Sequence, residues 1–142
     1  VCAIGVSNFL IHHLDDLVNR TGIAPMVNQV EFHPRLVQPD LLGFCQRNHI
    51  QYQAWSPIMK GEVNDIPLLK DIGNKHSKTP VQVTLRWDLQ KGVVTIPKSV
   101  HRERIFHNAD IFDFELSEEE IQAIDALDRN ERLGDHPDHF SF

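Results

Sequence analysis

Thr79-Pro80-Val81-Gln82-Val83-Thr84-Leu85-Arg86-Trp87-Asp88-Leu89-Gln90-Lys91-Gly92-Val93-Val94-Thr95-Ile96-Pro97-Lys98-Ser99 is the stretch that decides the fold class. It begins as a helix. Thr79 can cap, Pro80 needs no N–H at the first helical position, and Gln82 completes a capping box. Val81, Leu85 and Leu89 recur on one face, flanked by Trp87. Gly92 ends the helix. Residues 93–96 then form an apolar strand, closed by Pro97. A helix feeding directly into a short apolar strand is the repeating unit of an α/β protein.

The same alternation extends upstream. Residues 1–6, 27–31 and 50–55 read as strands, each stopped by a polar or proline pair: Ser7-Asn8, His33-Pro34 and Ser56-Pro57. Helices are expected over 10–20, from Pro39 through Arg47, and from about Asp65 to His76. Gly73 should weaken the last of these by up to ~1 kcal/mol against Ala. Residues 58–64 read as loop. Downstream, residues 102–109 form a short helix, and Ser117 with Glu120 makes a second capping box ahead of Ile121, Ile124 and Leu127. The polar segment 128–142 reads as a C-terminal tail.

Strands at four successive positions with helices between them imply right-handed crossovers and a parallel sheet. That pattern suits either an open doubly wound sheet or part of a (β/α)8 barrel. A whole barrel needs roughly 250 residues, and this chain has 142. It starts inside a strand and without Met, which suits a fragment or a processed chain.

Composition limits the function. Apolar residues at 41% and charged residues at 24% are globular proportions. No apolar run reaches the ~18 residues of a membrane span, and the opening residues are not expected to be a signal peptide. Cys2 and Cys45 are too few for a disulfide framework or a four-thiolate metal site, so free thiols in the cytoplasm are expected. The net charge is −6. Residues 1–100 balance to +2, whereas 101–142 carry 4 basic and 12 acidic side chains. No basic stripe suggests nucleic acid. Glu118-Glu119-Glu120 fits the first turn of a helix, where the dipole favours negative charge.

The chemistry-bearing residues lie at the C-terminal ends of the strands, the edge where parallel α/β folds bind ligands. Ser7 and Asn8 follow the first strand and suit either a cap or a ligand contact. Gln29 and Glu31 end the second. Trp55 and Ser56 end the third, where the indole can be core or can pack on a planar ring. Lys98 and Ser99 follow the fourth, with Arg104 six residues on. They fit a phosphate grip or a solvated basic pair. No GxGxxG follows the first strand, and there is no Walker motif or nucleophile elbow. His12-His13 points in two directions from its helix, and no histidine pair has a third ligand at metal-site spacing. Tyr52 shares parity with Ile50 and Ala54 and should pack under a helix.

These segments together resemble the aldo-keto reductases, and in particular the C-terminal half of their small bacterial members. The resemblance rests on Ile4-Gly5-Val6-Ser7-Asn8-Phe9, Val27-Asn28-Gln29-Val30-Glu31-Phe32-His33-Pro34, Ala54-Trp55-Ser56-Pro57, Lys78-Thr79-Pro80, Leu85-Arg86-Trp87, Ile96-Pro97-Lys98-Ser99-Val100 and Phe112-Asp113-Phe114. It runs over essentially all of the chain. It implies a (β/α)8 TIM barrel, with residues 1–142 as one partial domain supplying about the last four β/α units and 128–142 as tail.

The resemblance also implies an NADP(H)-dependent oxidoreductase that reduces small aldehydes, ketones, dicarbonyls or keto-sugars to alcohols. By it, Ser7, Asn8 and Gln29 hold the nicotinamide carboxamide and Trp55 stacks on the ring. Ser56 and Ile58 line the pyrophosphate passage. Lys98 and Ser99 grip the 2'-phosphate, Arg104 covers the adenine and that phosphate, and Asn108 contacts the adenine. His107 stands where the family commonly has Glu. The family's catalytic Tyr, Lys, Asp and His match no segment here, so no catalytic residue and no metal ligand is assigned. The alternative is an inactive half-barrel that binds nucleotide, self-associates or pairs with a missing half. The short segment 56–64 and the compact tail would leave room for a small carbonyl substrate.

Overall fold

The structure, a computed structural model, describes residues 1–139. The last three positions of the expected tail lie outside them. Four parallel strands form one sheet in the order β1-β2-β3-β4: Gly5–Ser7, Val27–Glu31, Gln51–Trp55 and Val94–Thr95. Six α-helices lie between and after them: α1 Ile11–Thr21, α2 Pro39–Arg47, α3 Pro67–His76, α4 Pro80–Gln90, α5 Arg102–Ala109 and α6 Glu118–Asp125. The register sets Ser7 beside Gln29, Gln29 beside Gln53, and Glu31 beside Trp55.

Parity explains which face is covered. Val30, Tyr52 and Ala54 point into the core with Leu14 of α1, Leu42 and Cys45 of α2, Leu69 and Ile72 of α3, Trp87 of α4 and Ile124 of α6. Phe32 stacks on Trp87 with centroids 4.9 Å apart. Gln29, Gln53 and Trp55 occupy the opposite face and stay half-buried. Helices therefore cover one side of the sheet, which is the architecture of a barrel wall and not of a doubly wound sheet.

The capping boxes at Thr79/Gln82 and Ser117/Glu120 form as the sequence reading expects, and Gly22 at φ 70° closes α1. Three expectations need correction. The first strand covers only Gly5–Ser7, because residues 1–3 have no ladder partner and Ile4 bonds only through its carbonyl to the Met26 N–H. The fourth strand shrinks to Val94–Thr95 for the same reason: it pairs on one side only. The expected loop 58–64 is a kinked 3-10 segment, Met59–Asp65, with Met59 and Val63 buried beneath it.

Gly73 also differs in meaning. A Cβ there would lie 2.4 Å from the Lys78 carbonyl oxygen, so the residue is required by the close approach of the α3–α4 turn. Both sheet edges are apolar and open. Ile4 precedes β1, and Val94 and Ile96 lie in and just after β4; all three are exposed. No helix among the described residues is long and apolar enough to cross a membrane.

Candidate functional site

The ten expected site residues fall into two adjoining groups at the C-terminal ends of the strands. The first is built on the tips of β1, β2 and β3. Asn8 turns the chain out of β1 at φ 58°, a left-handed conformation that Asn tolerates. Its N–H donates to the Gln29 carbonyl at 2.8 Å, and the Ser7 hydroxyl donates to the same oxygen at 3.1 Å. Across the sheet, Gln29 Nε2 donates to Gln53 Oε1 at 2.6 Å. Trp55 Nε1–H donates to Asn8 Oδ1 at 2.7 Å. One side chain thus ties β3 to the turn after β1.

These bonds leave a complementary pair. Asn8 keeps its amide NH2 as a donor, and Gln29 keeps its Oε1 as an acceptor. A primary carboxamide presents the matching acceptor and donor.

The second group lines a cleft of about 640 Å³. Ser56, Ile58, Lys98, Ser99, Arg104 and Asn108 all border it. Ser7, Asn8, Gln29 and Trp55 do not, but Trp55 adjoins Ser56 in the chain, so the groups meet at the end of β3. Lys60 and His107 add to Lys98 and Arg104, and among the described residues no aspartate or glutamate lines the cleft. Among the described residues, no carboxylate pairs with Lys98 or Arg104, whereas the structural cation Lys78 is held by Asp110 at 2.9 Å and Asp113 at 2.7 Å. The Ser99 hydroxyl accepts the His101 N–H at 3.2 Å just before α5. The first N–H groups of α5 have no side-chain cap. A carboxylate-free cleft with free cations beside an uncapped helix start is chemically suited to phosphate.

Several contributors escaped the sequence reading. Asn28 is fully buried and brackets Phe9, donating to its carbonyl at 2.8 Å and accepting its N–H at 3.4 Å. Parity with Val30 placed Asn28 under a helix, where a polar side chain must find partners. Lys60 lies at φ 55° next to Gly61 at φ 104°, and the Lys-Gly turn was its only signal.

The histidine expectation is corrected. His12 and His13 both bring Nε2 to Asp138 Oδ1, at 2.9 and 3.2 Å. The three groups are close enough to suggest a cation site. His13 Nδ1, however, accepts the Leu10 N–H at 3.1 Å, so its Nε2 carries the proton and donates to the carboxylate. The cluster is a clasp for the tail.

Tyr52 cannot serve as an acid. It is 1% exposed, and burial pushes its phenol far above the ordinary range. Among the described residues, the one side chain at hydrogen-bond range of its hydroxyl is the Gln38 amide, which donates at 3.5 Å. It packs under the helices as parity indicates.

Comparison with known proteins agrees with this architecture. The profile of the "Aldo/keto reductase family" matches residues 1–129. Glyoxal reductase of Bacillus subtilis is 57% identical over 140 residues, which span 99% of this chain and 51% of that one. Methylglyoxal reductase DkgA of Escherichia coli is 44% identical over 97% of this chain and 51% of its own. A crystal structure of a Gox0644 mutant in complex with NADPH superposes with a TM-score of 0.94 at 41% identity, over 99% of this chain and 52% of that chain. The chain spans about half the length of the relatives it matches, and its four β/α units are part of a TIM-barrel-like fold. By sequence and by structure, this chain belongs to the aldo/keto reductase family.

Proposed function

We propose that residues 1–142 are the C-terminal half of a cytoplasmic, NADPH-dependent carbonyl reductase, with 128–142 as its tail. The observation that carries the reading is the carboxylate-free cleft holding Lys98 and Arg104, which adjoins the Asn8–Gln29–Trp55 group. The volume falls within the ~300–1,000 Å³ of ordinary ligand sites. The donor set fits the cofactor at both ends. Lys98, Ser99 and Arg104 would hold the 2'-phosphate, with Asn108 beside the adenine. Ser56 and Ile58 would line the pyrophosphate passage. Asn8 Nδ2 and Gln29 Oε1 would take the carboxamide, and the Trp55 ring would orient the nicotinamide. When bound, NADPH supplies hydride to a carbonyl carbon.

This chain's own part is binding and orientation. The Asn8–Trp55 bond fixes the aromatic face before any ligand arrives, which lowers the ordering cost of binding. A proton donor must come from outside these residues, since their one tyrosine is buried. The relatives that reduce glyoxal and methylglyoxal favour a small aldehyde or dicarbonyl as substrate. The test is NADPH titration of the intact protein, followed by NADPH oxidation with methylglyoxal. Tight NADPH binding with methylglyoxal-dependent turnover is expected. Failure to bind NADPH rejects the reading.

The open edges favour a second reading for the 142-residue chain alone. Ile4 just before β1, and Val94 and Ile96 at β4, are exposed at strands that each pair on one side only. Such a half-barrel should self-associate or capture a complementary half. Sedimentation is expected to show oligomers, and a cooperative, monodisperse monomer would reject this.

A further inference from the structure

Glu31 is 1% exposed and ends β2 in register with Trp55. Nothing in the cofactor reading uses it. Among the described residues, its carboxylate bonds only to N–H groups. Oε1 accepts the Leu133 N–H at 2.6 Å and His33 Nε2–H at 3.2 Å, while Oε2 lies 3.4 Å from the Gly134 nitrogen. Burial holds the His33 imidazole below its ordinary value, so it stays neutral and donates. The tail is thereby caught through its backbone, whatever its side chains. Arg132 adds a bond to Gln38 Oε1 at 2.9 Å, and Gln38 Nε2 returns to the Glu31 carbonyl at 2.7 Å.

The next residue explains why the catch matters. A Cβ on Gly134 would lie 2.7 Å from Trp55 Cη2 and 3.5 Å from Cζ2. The tail backbone therefore lies directly against the six-membered ring of the indole, at the one position where only glycine leaves room. Trp55 is clamped twice: at Nε1 by Asn8, and at the far ring edge by Gly134.

We propose that Glu31 is a positioning residue: it anchors Leu133 and Gly134 against Trp55 and so fixes the ring face offered to the nicotinamide. This rests on the NADPH reading for its ligand but not for its contacts. Glu31→Gln keeps the volume and one acceptor oxygen, yet turns an amide NH2 toward backbone N–H groups.

The experiment uses the intact protein and four measurements on the variant. Trypsin cleavage after Arg132 should rise about tenfold as the tail opens. Acrylamide should quench Trp55 more strongly, while Trp87, 0% exposed, stays protected. Affinity for NADPH should fall roughly three- to tenfold, the weight of one aromatic contact. Affinity for 2',5'-ADP, which reaches only the Lys98 end, should be unchanged. Equal loss for both nucleotides would reduce Glu31 to general structure, and unchanged cleavage and quenching would remove the anchor altogether. Should Glu31→Gln fail to fold, Gly134→Ala decides from the tail side: altered Trp55 quenching with 2',5'-ADP binding retained supports the proposal, and wild-type behaviour overturns it. A wild-type protein that binds neither nucleotide defeats the cofactor reading, and the cleavage and quenching results then judge the anchor by themselves.

Discussion

Trp55 Nε1 lies 2.7 Å from Asn8 Oδ1, so the aromatic residue ending β3 is held by the amide that turns the chain out of β1. The two are 47 positions apart in the chain. The bond does two things at once. It satisfies a half-buried indole N–H, and it spends the Asn8 oxygen so that the Asn8 NH2 alone faces outward.

Replacing Trp55 separates ring face from hydrogen bond. Trp55→Phe keeps a flat apolar surface but frees Asn8 to rotate. NADPH affinity should fall roughly three- to tenfold, the net weight of one hydrogen bond. Trp55→Ala removes the ring as well and should cost more than Trp55→Phe. Fluorescence or calorimetric titration measures both. Wild-type affinity in the two variants would place the indole outside the cofactor path.

Lys98 has no carboxylate partner among the described residues, so its charge is free for a ligand. A charged hydrogen bond to phosphate contributes about 1.5–3 kcal/mol. Lys98→Ala should therefore weaken NADPH by roughly ten- to a hundredfold while changing NADH little, since NADH lacks the 2'-phosphate. The wild-type preference should also shrink as salt rises, because the cleft is open to water. Parallel losses for the two cofactors would assign Lys98 to something other than that phosphate.

What the sequence made legible was mostly local. The bounds of β2, α2 and α5 follow directly from Val27–Glu31, Pro39–Arg47 and Arg102–Ala109, because caps, prolines and apolar spacing act within a few residues. Both edge strands are shorter than their apolar runs, since an apolar run does not reveal that one side lacks a partner. The tail contacts had no signature at all. Glu31 meets Leu133 across 102 positions, and His12 meets Asp138 across 126. Neither pairing has a spacing rule. Polar residues at strand ends were recognisable as a set, but which of them share the cleft and which are tied to one another depends on the register of β1 to β3.

Asp88 gives a prediction about stability instead of binding. It sits in α4 with 0% exposure, and neither carboxylate oxygen has a hydrogen-bond partner among the described residues. Thr95 is close enough to ease a charge there, but its Oγ1 lies outside hydrogen-bond geometry. Burial holds the acid well above the ordinary carboxylate value of 3.8. The sign then follows from proton linkage. Between 3.8 and the raised folded value, the unfolded chain loses this proton and the folded chain keeps it. Stability from Asp88 is complete at low pH and is lost as pH rises through that window. Other acids oppose the trend. The Lys78 ammonium hydrogen-bonds Asp113 and holds it below its ordinary value, so that group favours the folded state as pH rises. The whole-protein curve therefore mixes signs, and the useful quantity is a difference. Asp88→Asn keeps the shape and cannot ionise. Its melting temperature relative to the parent should climb steadily as pH is raised from mildly acidic to neutral. A gap that stays constant with pH would mean that Asp88 does not change its protonation between the two states, and that the buried acid contributes only its shape.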